Sequence, residues 1–231
     1  MSDALWMQAE ADLTIREPGA PADAFVWEHS RRVAQIVEMI SALPELTSLS
    51  VDRVALRAAG LYHDAGWILQ VREGVLPARQ LLLRPTTDIQ RELAADFLEQ
   101  RGVAFLPGGP LQRALKAIRQ CNNRQTDLVE AKILSDADNL DQIGPQAIEV
   151  MLRKLLAEGR TMVDLVDAWK CQEEYHYWQA RIKECFHFQA VRELAESRYA
   201  CMQRFMAELQ ATVMLEDVLK AGEEKAVRLR G

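Results

Sequence analysis

The chain has 231 residues, of which 49% are hydrophobic and only 6% aromatic, so it is long enough to bury a core and favours helix over strand. Its 28 Lys and Arg are outnumbered by 34 Asp and Glu and form no basic block, which argues against strong nucleic-acid binding. We find no signal-peptide pattern, no Cys-x-x-Cys pair among the four cysteines, and no apolar run near the roughly 18 residues of a membrane span, so we expect a cytoplasmic protein.

Helical patterns follow one another along the chain, separated by Gly, Pro and capping residues. Gly66 is predicted to end one helix, and residues 68–86, with Gly74, Pro77 and Pro85, are interpreted as a loop over the functional site. In chain order, the apolar residues assigned to the predicted helices are Val33, Ile36 and Ile40; Val54, Ala58 and Leu61; Ile89, Leu93 and Phe97; Leu111, Leu115 and Ile118; Ile133, Leu134 and Ala137; and Ile148, Leu152 and Leu155.

Three capping signals mark where predicted helices begin. Ser50 and Thr126 each precede an apolar pattern, and Thr87 with Gln90 makes a capping box. Because no stretch shows the sustained alternation of a β-strand, the sequence predicts an all-α fold.

The predicted domain organisation is simple. One helical domain is expected over residues 1–221, with its sequence motifs in 20–150 and C-terminal helices in 161–221. Those last helices comprise two long patterns, 161–185 and 188–221. The charged residues 222–231 are expected to form a flexible tail.

Two of the four histidines lie at positions that suggest a shared site. His29 is on the same helical face as Val33, so it should point inward, where a histidine must find hydrogen bonds or a metal. His63 and Asp64 are adjacent near a predicted helix end. Their side chains diverge by about 100° on a helix, yet both can reach one ion where several helices meet.

A third piece is an acidic run inside an otherwise apolar helix. Asp136, Asp138 and Asp141 lie within six residues, and Asp138 shares a face with Leu134, so it should look inward. Asp136 points roughly 200° around the helix from Asp138. We therefore predict that Asp136 caps, pairs with a cation, or supports a ligand from the second shell.

These residues together suggest a metal site. Each has a commoner explanation when taken alone, as a core histidine, a chance dipeptide or a solvated acidic face, but their combination favours a metal. Two imidazoles and two carboxylates suit a divalent ion such as manganese, iron, cobalt, nickel or zinc. Since histidine must be neutral to bind metal, protons should compete with the ion below about pH 6.

The order His, then His-Asp, then Asp resembles the HD-domain metal-dependent phosphohydrolases. The C-terminal helices, with Tyr177-Trp178-Gln179-Ala180-Arg181, are similar to those of small bacterial stand-alone members. The resemblance covers roughly residues 20–150. The segments that carry it are Trp27-Glu28-His29-Ser30-Arg31-Arg32-Val33, Leu61-Tyr62-His63-Asp64-Ala65-Gly66, and Ile133-Leu134-Ser135-Asp136-Ala137-Asp138-Asn139-Leu140-Asp141-Gln142-Ile143-Gly144.

The resemblance implies a helical bundle with a central divalent ion, magnesium included, held by His29, His63, Asp64 and Asp138. Asp64 would also orient the water that attacks a phosphate ester or anhydride. Many relatives place a further His at the end of the helix that here ends in residues 117–123, where this chain has none. We therefore predict one metal ion rather than two.

Substrate contacts are predicted from cations near these motifs. Arg32 lies one turn after His29, and Lys116, Arg119 and Lys132 lie on helices expected near the site, although each could equally be a solvated surface charge. Two tryptophans could stack on a base or belong to the core, and the other two histidines are interpreted as structural: Trp67, Trp178, His176 and His187.

Three functions remain open at this stage. The first is a phosphohydrolase that acts on a nucleotide or another small phosphate ester. The second is a catalytically weak metal- or nucleotide-binding regulatory module of the same fold. The third, a di-iron oxygenase, needs more ligands than we can find. A homodimer is compatible with any of them.

Overall fold

The computed structural model describes residues 2–17, 19–81 and 83–220. Over this range the chain forms α-helices and no β-strand, with one isolated bridge between Ile15 and Asp23, so the predicted all-α class is confirmed. The helices are α1 (Ser2–Leu13), α2 (Phe25–Ile40), α3 (Arg53–Tyr62), α4 (Ala65–Arg72), α5 (Asp88–Gly102), α6 (Gly108–Gln120), α7 (Val129–Asp141), α8 (Pro145–Glu158), α9 (Met162–Glu174), α10 (Tyr177–Cys185) and α11 (Gln189–Val213), with 3-10 turns at Pro44–Leu46 and Ala78–Gln80.

Contacts between Cα atoms group the chain into two compact units. One consists of the described part of 1–142 with Cys185–Arg192, and the other of Ile143–Glu184 with the described part of 193–231. The single domain expected from the sequence stays a prediction. The tail expected at 222–231 lies outside the described residues.

The first unit is a bundle built around α2, α3, α6 and α7. Helix α2 packs against α3 and α7, α6 packs against α3, α5 and α7, and α4 lies on α5. Most of the predicted apolar positions on these helices are buried, since burial of one face is what stabilises an amphipathic helix. Those with 5% exposure or less include Val33, Ile36, Ile40, Ala58, Leu61, Leu111, Leu115, Ile118, Ile133, Leu134 and Ala137.

Two predicted faces and two predicted caps are wrong in detail. Thr126 does not cap α7, whose N-cap residue is Leu128; the Thr126 hydroxyl accepts a hydrogen bond from the Leu128 backbone N–H instead. Ile89 is 68% exposed because the buried face of α5 includes Leu98 and, unexpectedly, Arg91. Val54 is half exposed because it lies in the first turn of α3. That helix is capped by Asp52 rather than Ser50, since the Asp52 carboxylate accepts hydrogen bonds from the first-turn backbone amides.

The segment after the His-Asp pair is also more helical than predicted. Gly66 does not end a helix, since it lies in the first turn of α4, and the irregular backbone begins only after Arg72. A Cβ at position 66 would lie 2.2 Å from the carbonyl oxygen of Gln90, so the glycine serves a close approach of α4 to α5. The capping box of Thr87 and Gln90 at the start of α5 is confirmed.

The second unit contains an aromatic cluster. Trp178 is buried against Trp169, with ring centroids 6.1 Å apart, and donates its indole N–H to Gln172. Trp178 is thus a core residue of this unit. The pattern predicted as one helix over 161–185 is two helices, because the backbone takes a positive φ of 52° at His176 between α9 and α10.

Among the described residues, no helix is both long and apolar enough to cross a membrane.

Candidate metal centre

The backbone changes direction at the His-Asp pair. His63 caps the C-terminus of α3, and Asp64 caps the N-terminus of α4 with φ −108° and ψ 12°. Because the two residues are not inside one continuous helix, their side chains do not diverge as helical neighbours do. His63 Nε2 lies 3.7 Å from Asp64 Oδ2.

Two further side chains meet this pair from other helices. His29, on α2, places Nε2 at 3.2 Å from His63 Nε2 and at 3.4 Å from Asp64 Oδ2. Asp138, on α7, places Oδ1 at 3.3 Å from His29 Nε2 and at 3.7 Å from His63 Nε2. All four residues are buried. The structure therefore brings together the four predicted ligands.

Hydrogen bonds fix which nitrogen of each imidazole carries the proton. His63 Nδ1 lies 2.8 Å from the carbonyl oxygen of Gly60, which can only accept, so Nδ1 is the donor. His29 Nδ1 lies 2.8 Å from Asp141 Oδ2, which fixes the same tautomer. In the neutral rings both Nε2 atoms therefore present lone pairs toward the centre.

When the imidazoles are neutral, four lone-pair atoms thus face one another inside the protein, and only Asp138 Oδ1 among them accepts a hydrogen bond, at 2.8 Å from the Gln142 amide, within the described part of the chain. This arrangement is repulsive unless a cation occupies the middle, because buried electron-rich atoms need a compensating positive charge. Ligands about 2.1 Å from a common ion lie roughly 3.0 Å apart at 90° and roughly 3.4 Å apart at the tetrahedral angle. His29, His63 and Asp64 each offer an atom within 4.8 Å of the others, so the cluster could hold a metal ion.

The pKa values of His29, Asp138 and Asp64 also indicate that the centre favours positive charge. Burial alone would lower the pKa of His29, but hydrogen bonds to the surrounding carboxylates raise it well above its ordinary value. Burial alone would raise the pKa of Asp138, but the imidazoles and Arg91 hold it well below its ordinary value. The pKa of Asp64 is lowered for the same reason, mainly by His63 and Arg91. The raised pKa of His29 favours its protonated form when no metal is bound, so a proton there would supply the positive charge.

Arg91 is the largest feature of the centre that sequence reasoning missed. Its guanidinium donates to Asp64 Oδ1 at 2.9 Å, to Asp138 Oδ2 at 2.8 Å and to the carbonyl oxygen of His63 at 2.9 Å. It is only 2% exposed. The one available signal in the sequence was that Arg91 lies three residues before Ala94, on the face of α5 that carries small residues. An arginine at such a position is by itself expected to be a surface charge.

Asp141 and Arg32 form a second supporting pair. Arg32 donates from Nε and Nη2 to the two oxygens of Asp141, at 2.8 and 3.0 Å, while Asp141 also accepts from His29. A carboxylate behind a ligating histidine orients the ring and raises its basicity. Arg32, predicted as a substrate contact, thus pairs with the carboxylate that contacts His29, and its contact with substrate stays a prediction.

Asp136 lies on the other side of α7, as its spacing from Asp138 predicts. Its carboxylate accepts hydrogen bonds from the backbone N–H of His187 and Phe188 and from His187 Nδ1, all within 3.1 Å. These bonds hold the two residues that immediately precede α11. Asp141, rather than Asp136, is the acid of this run that supports a candidate ligand.

The other predicted substrate contacts lie elsewhere. Arg119 bridges Glu92 and Asp96 in exposed ion pairs at 2.7 and 2.8 Å. Lys116 is exposed and Lys132 is half-buried, and within the described part of the chain neither is hydrogen-bonded to a predicted ligand.

A tryptophan and a threonine form a chain of hydrogen bonds that ends at Asp64 Oδ1. Trp67 donates its indole N–H to Thr86 Oγ1 at 3.1 Å, and that hydroxyl donates to Asp64 Oδ1 at 3.3 Å. Asn122, just beyond the end of α6, donates to the carbonyl oxygen of Thr86. Trp67 is thus buried and is linked to Asp64 through the Thr86 hydroxyl. The end of α6 lies against the segment that contains Thr86.

The solved structures that resemble this chain share its fold. Bacillus subtilis YpgQ is 20% identical, with a TM-score of 0.59 and coverage of 92% of this chain and 95% of that chain. The complex of YpgQ with ADP gives 19% identity, a TM-score of 0.57 and coverage of 92% and 98%. A predicted HD superfamily hydrolase from an uncultured Thermotogales bacterium gives 20% identity, a TM-score of 0.53 and coverage of 89% and 91%.

Sequence comparison identifies the family. No curated protein matches the chain. The model of the HD domain matches residues 26–143, which include all four predicted ligands and make up half of the sequence. This protein belongs to the HD-domain family.

Proposed function

We propose that this protein is a metal-dependent phosphohydrolase that acts on a nucleotide or another small phosphate ester. The observation that carries the proposal is the convergence of two imidazole nitrogens and two carboxylate oxygens, all lone-pair donors, from His29, His63, Asp64 and Asp138. These are the four residues that would hold the ion. A divalent ion bound there would lower the pKa of a water and neutralise charge on a phosphoryl oxygen.

Asp64 is suited to orient the attacking water. Its Oδ2 faces the centre, and its Oδ1 is held by Arg91 and by the Thr86 hydroxyl. A carboxylate fixed in this way can accept a hydrogen bond from a water and hold one lone pair of that water toward the phosphorus.

The charge balance of the centre favours an anionic substrate. With neutral imidazoles, the carboxylates of Asp64, Asp138 and Asp141 outnumber the guanidinium groups of Arg32 and Arg91 by one. A divalent ion reverses that balance to a net positive charge. A phosphate would then be attracted in a site where the low dielectric strengthens the interaction.

Nucleotides are the first substrate class to test. A structural relative with the same fold, Bacillus subtilis YpgQ, has been solved in complex with ADP. A panel should contain nucleoside mono-, di- and triphosphates and simple phosphate monoesters, each with Mn²⁺, Mg²⁺, Co²⁺, Ni²⁺, Zn²⁺ or Fe²⁺. Phosphate or pyrophosphate release should require an added ion and stop with a chelator.

Two aspartates on α7 provide matched variants for this test. Asp138→Asn should lose both the ion and turnover, because it removes an inner carboxylate. Asp136→Asn should keep the ion, because that carboxylate is used at α11. Hydrolysis that survives the chelator and the Asp138→Asn substitution would contradict the proposal, as would loss of the ion from Asp136→Asn alone.

A second candidate is a metal- or nucleotide-binding module with little turnover. This candidate is favoured because three arginines already have acidic partners: Arg32 and Arg91 pair with carboxylates of the centre, and Arg119 pairs with carboxylates on the surface. A regulatory module would bind ADP in the presence of metal with no product release over the whole panel. Calorimetric binding measured beside the hydrolysis assay separates the two functions.

A further inference from the structure

The oxygens of Asp64 and Asp138 divide into two pairs with different surroundings. The inner pair, Asp64 Oδ2 and Asp138 Oδ1, faces the imidazole nitrogens. The outer pair, Asp64 Oδ1 and Asp138 Oδ2, is spanned by the two terminal nitrogens of Arg91 at 2.9 and 2.8 Å. One rigid guanidinium thus connects the two carboxylates on the side away from the imidazoles.

The outer pair is also where a second metal ion would have to bind. Paired catalytic ions lie about 3.5–4 Å apart and share carboxylates, each ion taking one oxygen. Here the second oxygen of each carboxylate already has a permanent cationic partner. A further cation would have to displace a buried arginine and would be repelled by its charge.

The residues at the end of α6 provide few ligands that could offset the repulsion between Arg91 and a second metal ion. Cys121 is buried there, and burial raises the pKa of its thiol to about 11, so the thiol is protonated near neutral pH. Its Sγ donates to the carbonyl oxygen of Ile118. Asn122 is turned to the backbone of Thr86, and amides are weak ligands for transition metals.

We propose that Arg91 is a fixed second cation of the centre. It holds the inner oxygens of Asp64 and Asp138 toward a single metal ion and excludes a second ion from their outer oxygens. The inference rests on the proposed function only in that the inner atoms must bind one ion. Arg91 acts through the carboxylates and is a positioning residue.

Two substitutions separate positioning from exclusion. Arg91→Lys keeps the charge but replaces a fork that spans two carboxylates with one ammonium, so it should still bind one Mn²⁺, about 10–100-fold more weakly. Arg91→Ala removes the charge and both guanidinium contacts, and leaves Asp64 Oδ1 with the hydrogen bond from the Thr86 hydroxyl. It should bind two Mn²⁺ per chain at high Mn²⁺ concentration.

The measurements are equilibrium dialysis of the full chain against Mn²⁺, with elemental analysis, and electron paramagnetic resonance of the bound ions. The wild type should hold one ion with the signal of isolated Mn²⁺. Arg91→Ala should show the signal of a spin-coupled pair. Arg119→Ala is the matched control, because Arg119 also bridges two carboxylates but on the surface, and it should match the wild type.

The outcomes are distinct. No Mn²⁺ on the wild type would overturn the proposed metal site itself. A coupled pair on the wild type, or one ion bound with unchanged affinity by both Arg91 variants, would overturn the role of Arg91 alone. A merely structural arginine would give weaker binding of one ion in both variants and no coupled pair. If Arg91→Ala does not fold, unchanged affinity in Arg91→Lys still refutes the inference.

Discussion

The pH dependence of metal binding follows directly from the four converging lone-pair atoms. In the metal-free protein the carboxylates raise the pKa of His29 well above its ordinary value of 6.5. Because His29 must lose its proton to bind an ion, one proton is released for each ion bound at any pH below that raised pKa. The competition predicted from sequence below about pH 6 should therefore extend through and above pH 6.5.

The expected magnitude is about a tenfold gain in Mn²⁺ affinity per pH unit below the pKa of His29, since one pKa unit corresponds to about 1.4 kcal/mol. Calorimetric titration between pH 6 and 8.5, in buffers of different ionisation enthalpy, measures both the affinity and the proton count. An affinity that is flat from pH 6.5 to 8, with no proton released, would refute the reasoning.

The free energy of unfolding of the metal-free protein should also depend on the protonation of His29. It should fall as the pH rises, whereas the affinity for Mn²⁺ should increase. The raised pKa of His29 contributes stability that is fully present below pH 6.5 and is lost as the pH rises through the folded-state pKa. Asp64 and Asp138 have lowered pKa values, so their contribution is present above about pH 4 and is lost as the pH falls through the folded-state values. Saturating Mn²⁺ should remove the loss at high pH, which thermal unfolding with and without metal can measure.

Two further substitutions test the surroundings of the centre. Asp141→Asn should weaken Mn²⁺ binding by about 10–100-fold without changing the stoichiometry, because His29 loses its carboxylate partner; unchanged affinity in equilibrium dialysis would contradict this. Gly66→Ala should destabilise the fold by about 1–3 kcal/mol in denaturant unfolding, because its Cβ would overlap the backbone of Gln90. Gly109→Ala, with open space around its Cβ, is the control, and equal effects of the two changes would show that the close approach is unimportant.

The candidate ligands could be predicted from sequence because each lies in a short segment with its own pattern. The helical period placed His29 on the buried face of α2, and the same period separated Asp138 from Asp136 on α7. The His63–Asp64 pair was predicted from the residues around it and from its order relative to the other motifs, and not from helical geometry. Both its side chains reach the centre because the backbone turns between α3 and α4, which the sequence did not indicate.

The supporting residues could not be predicted, because their role depends on distant packing. Arg91 lies 27 residues from Asp64 and 47 from Asp138, and an arginine on a helix is ordinarily a surface residue. It is buried here because α5 packs on α4 and α6. Arg32 lies one turn after His29 in the sequence, but only the structure shows that it pairs with Asp141.

The charges of the centre form an alternating arrangement that explains why its carboxylates can be buried at all. Each buried carboxylate contacts one guanidinium on its outer side, Arg91 for Asp64 and Asp138 and Arg32 for Asp141. On the inner side, Asp64 and Asp138 both face the two imidazoles, and Asp141 contacts His29 alone. The outer cations offset part of the desolvation cost of the acids. They leave one negative charge uncompensated, at the point where the imidazole lone pairs converge. A divalent ion placed there satisfies every inner atom and makes the centre positive, which is the condition for holding a phosphate beside it.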